Sequence, residues 1–111
     1  MLTIDKIFHA SLVLKEIIRP TPLARAYGFS KDFDLYFKPE NLQRTGSFKL
    51  RGSGYKIAML SEEEKAKGVI ACSAGNHAQG VALAARENSI HAVICLPDGA
   101  PISKIQATRS Y

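Results

Sequence analysis

Lys49 is the first residue whose type and neighbours suggest chemistry, since it follows Ser47 and Phe48 directly. A lysine amine can form a Schiff base with a carbonyl carbon if it is partly unprotonated, and a desolvated setting favours the neutral amine. Phe48 supplies an aromatic neighbour. A single lysine near a helix start is more often a solvated charge, so Lys49 becomes a candidate only with support from the rest of the chain.

A second candidate segment contains Ser73, Ala74, Gly75, Asn76 and His77. It leaves an apolar stretch and opens a predicted helix, so several backbone N–H groups would face one spot and attract a phosphate or a carboxylate. An ordinary tight turn fits the same residues, because one glycine turn is a weak signal. Taken singly, Asn76 is more often a turn residue and His77 more often a structural histidine.

The amino-terminal elements follow from apolar spacing and from capping residues. Apolar residues recur at helical spacing from Ile4, and Thr3 can cap the first turn, so we predict a helix over residues 4–15. A proline-containing extended connection follows it. Residues 34–38 then predict a short strand that ends at Pro39.

A second predicted helix would carry Lys49. It would begin at Ser47 as the capping residue and run towards Leu60. Gly52 and Gly54 within it each cost about 1 kcal/mol relative to alanine, so close backbone packing must offset them. The residues before this helix, 40–46, have the composition of a loop.

The remaining elements alternate between helix and strand. Ser61 and Glu64 have the spacing of a capping box, and Gly68 stands where that short helix would stop. Predicted strands at residues 69–72 and 90–96 flank an alanine-rich helix that ends near residue 87, and another helix begins at Ile102. This order predicts parallel pairing in a three-layer αβα fold, with ligands at the carboxyl ends of the strands.

Composition narrows the possible function classes. The chain has 111 residues, 46% of them hydrophobic, which is typical of one globular domain. No membrane span or secretory signal is visible, so we expect a soluble cytoplasmic protein. The net charge of +5 comes from scattered residues, which favours a small anionic ligand over nucleic acid. Cys72 and Cys95 lie in apolar stretches and are expected to be buried free thiols.

Two longer motifs surround the candidate residues. Residues 38–52 are Lys38, Pro39, Glu40, Asn41, Leu42, Gln43, Arg44, Thr45, Gly46, Ser47, Phe48, Lys49, Leu50, Arg51 and Gly52, and the turn at 73–77 continues through Ala78, Gln79 and Gly80. Together they resemble the threonine and serine dehydratase branch of the fold type II pyridoxal-phosphate enzymes, which share the fold of the tryptophan synthase beta chain. The resemblance extends through residues 19–23 and 96–104.

The resemblance implies roles for both segments. Lys49 would hold pyridoxal 5'-phosphate and later move the substrate's α-proton, with Phe48 packed near the cofactor. Asn76 would bind the cofactor's ring hydroxyl. The donors of the turn would bind the substrate carboxylate, which assigns Ser73, Ala74, Gly75, Asn76 and His77. The implied reaction converts L-threonine to 2-oxobutanoate and ammonia, or L-serine to pyruvate, without a metal. The parent enzyme is expected to be a homo-oligomer.

The resemblance also indicates what these residues lack. In the family, the glycine-rich loop for the cofactor phosphate and the residue that faces the pyridine nitrogen lie further along the chain. We therefore expect an amino-terminal part of an enzyme, with residues 1–40 leading a larger domain and residues 41–111 forming an incomplete smaller one. Threonine or serine preference, biosynthetic or catabolic use, and allosteric control stay open.

Three alternatives compete with this interpretation. Amino-acid racemases of the same family need a second proton-exchanging group and commonly have serine at the position of Ala74. The second alternative is a fragment without activity, which would contain the same candidate residues. A dinucleotide-binding half-domain is disfavoured, because residues 73–80 lack the three-glycine fingerprint.

Overall fold

Two small sheets and five α-helices make up the chain in the computed structural model, which describes all 111 residues. The elements, in chain order, are α1 (Ile4–Val13), β1 (Ala24–Arg25), β2 (Tyr36–Phe37), α2 (Lys49–Ala58), α3 (Glu62–Lys67), β3 (Val69–Cys72), α4 (Asn76–Glu87), β4 (Ala92–Cys95) and α5 (Ile102–Arg109). Short 3-10 turns occupy Leu14–Glu16, Glu40–Leu42 and Arg44–Gly46. No helix combines the length and the apolar character that crossing a bilayer requires.

The amino-terminal elements lie mostly at the surface. Thr3 caps α1 as predicted, since its Oγ1 accepts a hydrogen bond from Lys6 N at 3.4 Å. The helix ends two residues earlier than predicted, and none of its residues is buried. β1 pairs antiparallel with β2, where the sequence indicated only an extended connection before one longer strand.

β3 and β4 form the parallel pair that the alternating elements predict. Their register joins Val69 to Ala92 and Cys72 to Cys95. α4 connects them and packs against both strands and α2. The resulting core contains Leu50, Ile57, Ala71, Val81, Leu83, Ala84, Ala85 and Ile90. Mixed helix and parallel sheet confirm the predicted α/β class, although β4 is shorter than residues 90–96.

The start of α2 differs by one residue from the prediction. The helix begins at Lys49, so Phe48 rather than Ser47 directly precedes it. Ser47 still supports the first turn, because its Oγ accepts a hydrogen bond from Lys49 N at 3.4 Å. Phe48 already has helical dihedral angles, which moves the last extended residue back to Ser47.

The two helical glycines of α2 behave differently. A Cβ at Gly54 would lie 2.8 Å from Ile17 Cγ2, so close packing offsets that glycine as predicted. A Cβ at Gly52 would meet nothing within 4 Å, so the same prediction is wrong there.

The end of α3 matches the sequence prediction. Ser61 and Glu64 form the capping box, and Gly68 follows the helix at φ 81°. A side chain at position 68 would also place its Cβ 2.7 Å from the carbonyl oxygen of His91. Glycine is therefore required there by both backbone conformation and space.

The prediction of buried cysteines is wrong, since Cys72 and Cys95 are both exposed. Successive residues of a strand point to opposite faces. The helices cover only the face that contains Ala71 and Ile94, and the opposite face is exposed along both strands. We call this the exposed sheet face and define it by Ile70, Cys72, Val93 and Cys95.

Candidate active site

A tight reversal of the chain lies just before α2 and places Lys49 in the first turn of that helix. Thr45 and Gly46 have φ values of 65° and 66°, so two successive residues adopt the left-handed conformation. Glycine takes this conformation without strain, whereas threonine adopts it rarely. Extended Ser47 follows, and α2 then starts at Lys49. The position of Lys49 thus depends on the Thr45–Gly46 reversal.

The Lys49 amine has no acidic partner. Its Nζ lies 4.7 Å from the centroid of the Phe48 ring. None of the five ion pairs in the chain includes it. Both side chains are exposed. The chain therefore leaves the amine available, but it does not by itself provide the desolvated setting that favours a neutral amine.

The turn before α4 presents unpaired backbone donors. Ser73 N donates to Cys95 O at 3.0 Å, which fixes the start of the turn to the end of β4. Ser73 Oγ accepts from Gly75 N at 3.2 Å. No side chain caps α4, whose first residue is Asn76. Because the first N–H groups of a helix have no partner within it, this end of α4 is suited to an anion.

The predicted site residues of the turn differ in exposure. Ser73, Ala74 and Gly75 are half-buried, and Asn76 and His77 are exposed. Neither the Asn76 amide nor the His77 ring takes part in any hydrogen bond of the chain. Both side chains are free to bind a ligand.

Gly80 brings the two segments together. A Cβ at Gly80 would lie 2.8 Å from Ser53 Oγ and 3.2 Å from both Leu50 N and the carbonyl carbon of Lys49. Glycine therefore lets the first turn of α2 touch the backbone of α4, one turn after Asn76. Gly80 lies in the motif at residues 73–80, but nothing in the sequence alone indicates this contact with α2.

A second feature absent from the sequence analysis is the ion pair between Glu40 and Arg51. Arg51 Nε and Nη2 donate to the two carboxylate oxygens of Glu40 at 2.8 and 2.7 Å. Thr21 Oγ1 donates to Glu40 Oε1 at 2.6 Å, and Lys38 Nζ donates to the carbonyl oxygen of Thr21 at 2.7 Å. The hydrogen bond from Arg51 lowers the pKa of Glu40 to about 2, despite partial burial. The pair ties α2 to the amino-terminal segment.

Gln43 and Arg44 add further links to that segment. Gln43 is 4% exposed, and its amide exchanges two hydrogen bonds with the backbone of Arg19, at 2.8 and 2.7 Å. Arg44 donates to the carbonyl oxygen of Ile17 at 2.7 Å and forms an ion pair with Glu87 of α4. Gln43 and Arg44 both lie within the 38–52 motif, and this is the one feature of the sequence that could have indicated these links.

The donor set can be tested against pyridoxal phosphate. That cofactor needs a lysine amine for attachment and polar donors around its ring. Lys49 Nζ is free of acidic partners, and the Asn76 amide is free of hydrogen bonds. Gly80 places the backbones of their two helices in contact. The residues present fit the amine and ring-binding parts of such a site.

Comparisons with known proteins agree with this chemistry. A sequence profile described as pyridoxal-phosphate-dependent enzyme matches residues 14–111. An L-threonine ammonia-lyase of Thermotoga maritima is 52% identical over 99% of this chain and 28% of its own length. Maize serine racemase superposes with a TM-score of 0.91 at 37% identity, over 97% of this chain and 33% of the racemase. Threonine deaminase isoform 2 of Solanum lycopersicum gives 0.83 at 39% identity, over 98% of this chain and 32% of the deaminase.

The chain belongs to the pyridoxal-phosphate-dependent enzyme family, because the profile covers most of its residues. It spans about a third of the length of the relatives it matches. The comparison structures also confirm the fold type II architecture that the sequence resemblance implies.

Proposed function

We propose that this chain is an amino-terminal part of a pyridoxal-phosphate-dependent ammonia-lyase that converts L-threonine to 2-oxobutanoate and ammonia. L-Serine, giving pyruvate, would be a second substrate. The contact at Gly80 carries the proposal, because it joins the helix that begins with Lys49 to the uncapped helix that begins with Asn76. The names of the relatives from Thermotoga and Solanum support the same reaction.

Lys49 is the proposed attachment residue and proton carrier. When bound, pyridoxal phosphate acts as an electron sink that makes the α-proton of an amino acid removable. Lys49 Nζ would hold the cofactor and then accept the α-proton at the same nitrogen. A proton acceptor must be neutral, and exclusion of water favours the neutral amine. Since Lys49 is exposed here, we propose that residues beyond these 111 complete its surroundings.

The amino terminus of α4 is the proposed carboxylate site. The backbone N–H groups of Ala74, Asn76 and His77 have no hydrogen-bond partner in the chain, and the helix dipole favours a negative group at this uncapped helix start. Ser73 Oγ holds Gly75 N and so shapes the turn, while the free Asn76 amide would bind the cofactor ring. Fixing the carboxylate orients the α-carbon towards Lys49 Nζ, which lowers the entropic cost of proton transfer.

A racemase is the second candidate, because serine racemase is a close structural neighbour. Racemisation needs a proton donor on the face opposite Lys49, and the methyl group of Ala74 has no exchangeable proton. Ala74 therefore favours elimination.

The test uses the protein encoded by the complete reading frame that contains these residues. With L-threonine supplied, 2-oxobutanoate should form much faster than any product of inversion at the α-carbon, measured by chiral chromatography. Ala74→Ser should raise the rate of inversion, while Ala74→Gly, which also lacks a hydroxyl, should not. Inversion faster than 2-oxo acid formation in the unaltered protein would overturn the proposal.

The domain division also stays a proposal, with residues 1–40 leading the larger domain and residues 41–111 belonging to the smaller one. Its support is the separation of the β1–β2 sheet from the β3–β4 sheet. The ion pair of Glu40 with Arg51 would then fix the junction between the two parts.

A further inference from the structure

Glu40 and Arg51 flank the loop that carries Lys49, and their side chains meet at its base. Arg51 Nε and Nη2 donate to the two carboxylate oxygens of Glu40 at 2.8 and 2.7 Å. The Glu40 side chain is 14% exposed and the Arg51 side chain 32% exposed. Further residues of a longer protein can only bury this pair more deeply.

The loop between the two residues contains a strained reversal. Thr45 has a φ of 65°, which is rare for a β-branched residue, and its Oγ1 is buried without a hydrogen-bond partner in the chain. Such costs persist only where surrounding contacts hold the backbone in place. The pair of Glu40 with Arg51 supplies such a contact, because it joins the two ends of the loop.

The acidic end of the pair is itself fixed. Thr21 Oγ1 donates to Glu40 Oε1 at 2.6 Å and accepts from Arg51 Nη2 at 3.3 Å. Gln43 anchors the same loop through two hydrogen bonds to the backbone of Arg19. The hydrogen bond from Arg51 lowers the pKa of Glu40 to about 2, so the carboxylate is charged at neutral pH.

The first turn of α2 is held from two directions. Residues two apart in an α-helix differ by about 200° around its axis, so Arg51 leaves the side of α2 opposite to Lys49. A Cβ at Gly80 of α4 would lie 3.2 Å from both Leu50 N and the carbonyl carbon of Lys49. The backbone from which the lysine amine projects is therefore fixed by the ion pair and by α4 together.

We propose that Glu40 and Arg51 are positioning residues for Lys49, which they place relative to the carboxylate site at the start of α4. A buried ion pair adds little stability relative to apolar residues of similar volume, and its best-attested use is to specify one arrangement among alternatives. Both residues act through the backbone that carries Lys49. Their role in turnover rests on the proposed lyase function, whereas the fixed helix start is also a property of the cofactor-free protein.

The experiment uses the protein from the complete reading frame with L-threonine. Glu40→Gln and Arg51→Lys each keep a hydrogen-bonding side chain but break the charged, bidentate contact. In both variants kcat should fall by about tenfold or more, because a displaced catalytic group is costly, while KM should change by less than about twofold. The double variant should be within about twofold of the slower single variant, since both substitutions break the same contact.

Hydrogen exchange of the cofactor-free protein, followed by mass spectrometry, gives a readout apart from activity. In both variants the backbone amides of α2 should accelerate at least about threefold more than those of α4, because the loosening is local. Glu87→Gln is the matched control, since it breaks a second arginine–glutamate pair, with side chains 31% and 35% exposed, that includes no residue of α2. It should leave kcat and the exchange of α2 unchanged.

Four results would overturn the proposal: an unchanged kcat in Glu40→Gln, a raised KM without a lowered kcat, an equal loss of kcat in Glu87→Gln, or equal acceleration of exchange in α2 and α4. Thr21→Val removes one hydrogen bond from Glu40 and keeps both charges, so it should fold and lower kcat less than Glu40→Gln does. An unaltered protein that forms no 2-oxobutanoate would overturn the lyase reaction instead, and the exchange rates would still test the position of Lys49.

Discussion

Gly80 of α4 and Ser53 of α2 lie so close that a Cβ on Gly80 would be 2.8 Å from Ser53 Oγ. The same Cβ would be 3.2 Å from backbone atoms of Leu50 and Lys49, which cannot move without moving α2. The distance between α2 and α4 therefore depends on glycine, which has no side chain, at position 80. The location of Lys49 relative to the turn that precedes α4 depends on it.

Gly80→Ala should lower the free energy of unfolding by about 1–3 kcal/mol, because the added methyl group overpacks a backbone contact. Urea unfolding followed by circular dichroism measures the change. Gly52→Ala is the matched control, since a Cβ there meets nothing and alanine favours a helix interior by about 1 kcal/mol. A Gly80→Ala protein as stable as Gly52→Ala would show that α2 does not pack on α4 as described.

Glu40→Gln should destabilise the chain at neutral pH by about 1.5–3 kcal/mol, because Arg51 loses a charged hydrogen-bond partner. The unaltered protein should also be acid-sensitive in a defined range. The pKa of Glu40 is about 2 in the folded chain against an ordinary value of 4.5. Since the folded value is the lower one, the stabilisation is complete above the ordinary value and is lost as the pH falls towards 2.

Urea unfolding at about pH 6 and about pH 3 tests this acid sensitivity. The unaltered chain should lose more stability between these pH values than Glu40→Gln does. Glu63→Gln removes an exposed carboxylate and should leave the loss unchanged. Equal losses in the unaltered chain and Glu40→Gln would mean that the ion pair with Arg51 does not stabilise the fold.

Lys49 should be the residue that carries pyridoxal phosphate in the protein from the complete reading frame. A yellow absorbance band should be present, borohydride should fix the cofactor to the chain, and peptide mapping should locate it on Lys49. Lys49→Ala should abolish the fixed label, whereas Lys56→Ala should keep it, because Lys56 lies two turns further along α2. Label on Lys38 or Lys56 would show that the residue assignment is wrong.

The 111-residue chain by itself should bind pyridoxal phosphate weakly. Lys49 is exposed, so a bond formed there is open to hydrolysis, and the resemblance places the phosphate loop further along the chain than these residues. Absorbance titration should give the same small signal for the unaltered chain and for Lys49→Ala. A stable yellow complex at micromolar cofactor, lost in Lys49→Ala and accompanied by threonine deamination, would show that these residues suffice for catalysis.

Local chemistry determined most helix positions from the sequence alone. The Thr3 cap and the capping box of Ser61 with Glu64 act within one turn, and Gly68 ends α3 through its own backbone angle. These signals need no distant partner, so they could be predicted. The family could be predicted for a related reason. The motif around Lys49 and the motif around Asn76 are each an uninterrupted stretch of sequence.

Tertiary structure alone decided which surfaces are covered and which distant residues meet. Alternation along a strand places Cys72 and Cys95 on one face, but only the packing of α4 on the other face leaves them exposed. Glu40 and Arg51 are both charged in the sequence, yet nothing local requires that they pair. The need for glycine at position 80 arises where α2 and α4 touch, and such a contact between residues far apart in sequence exists only after folding.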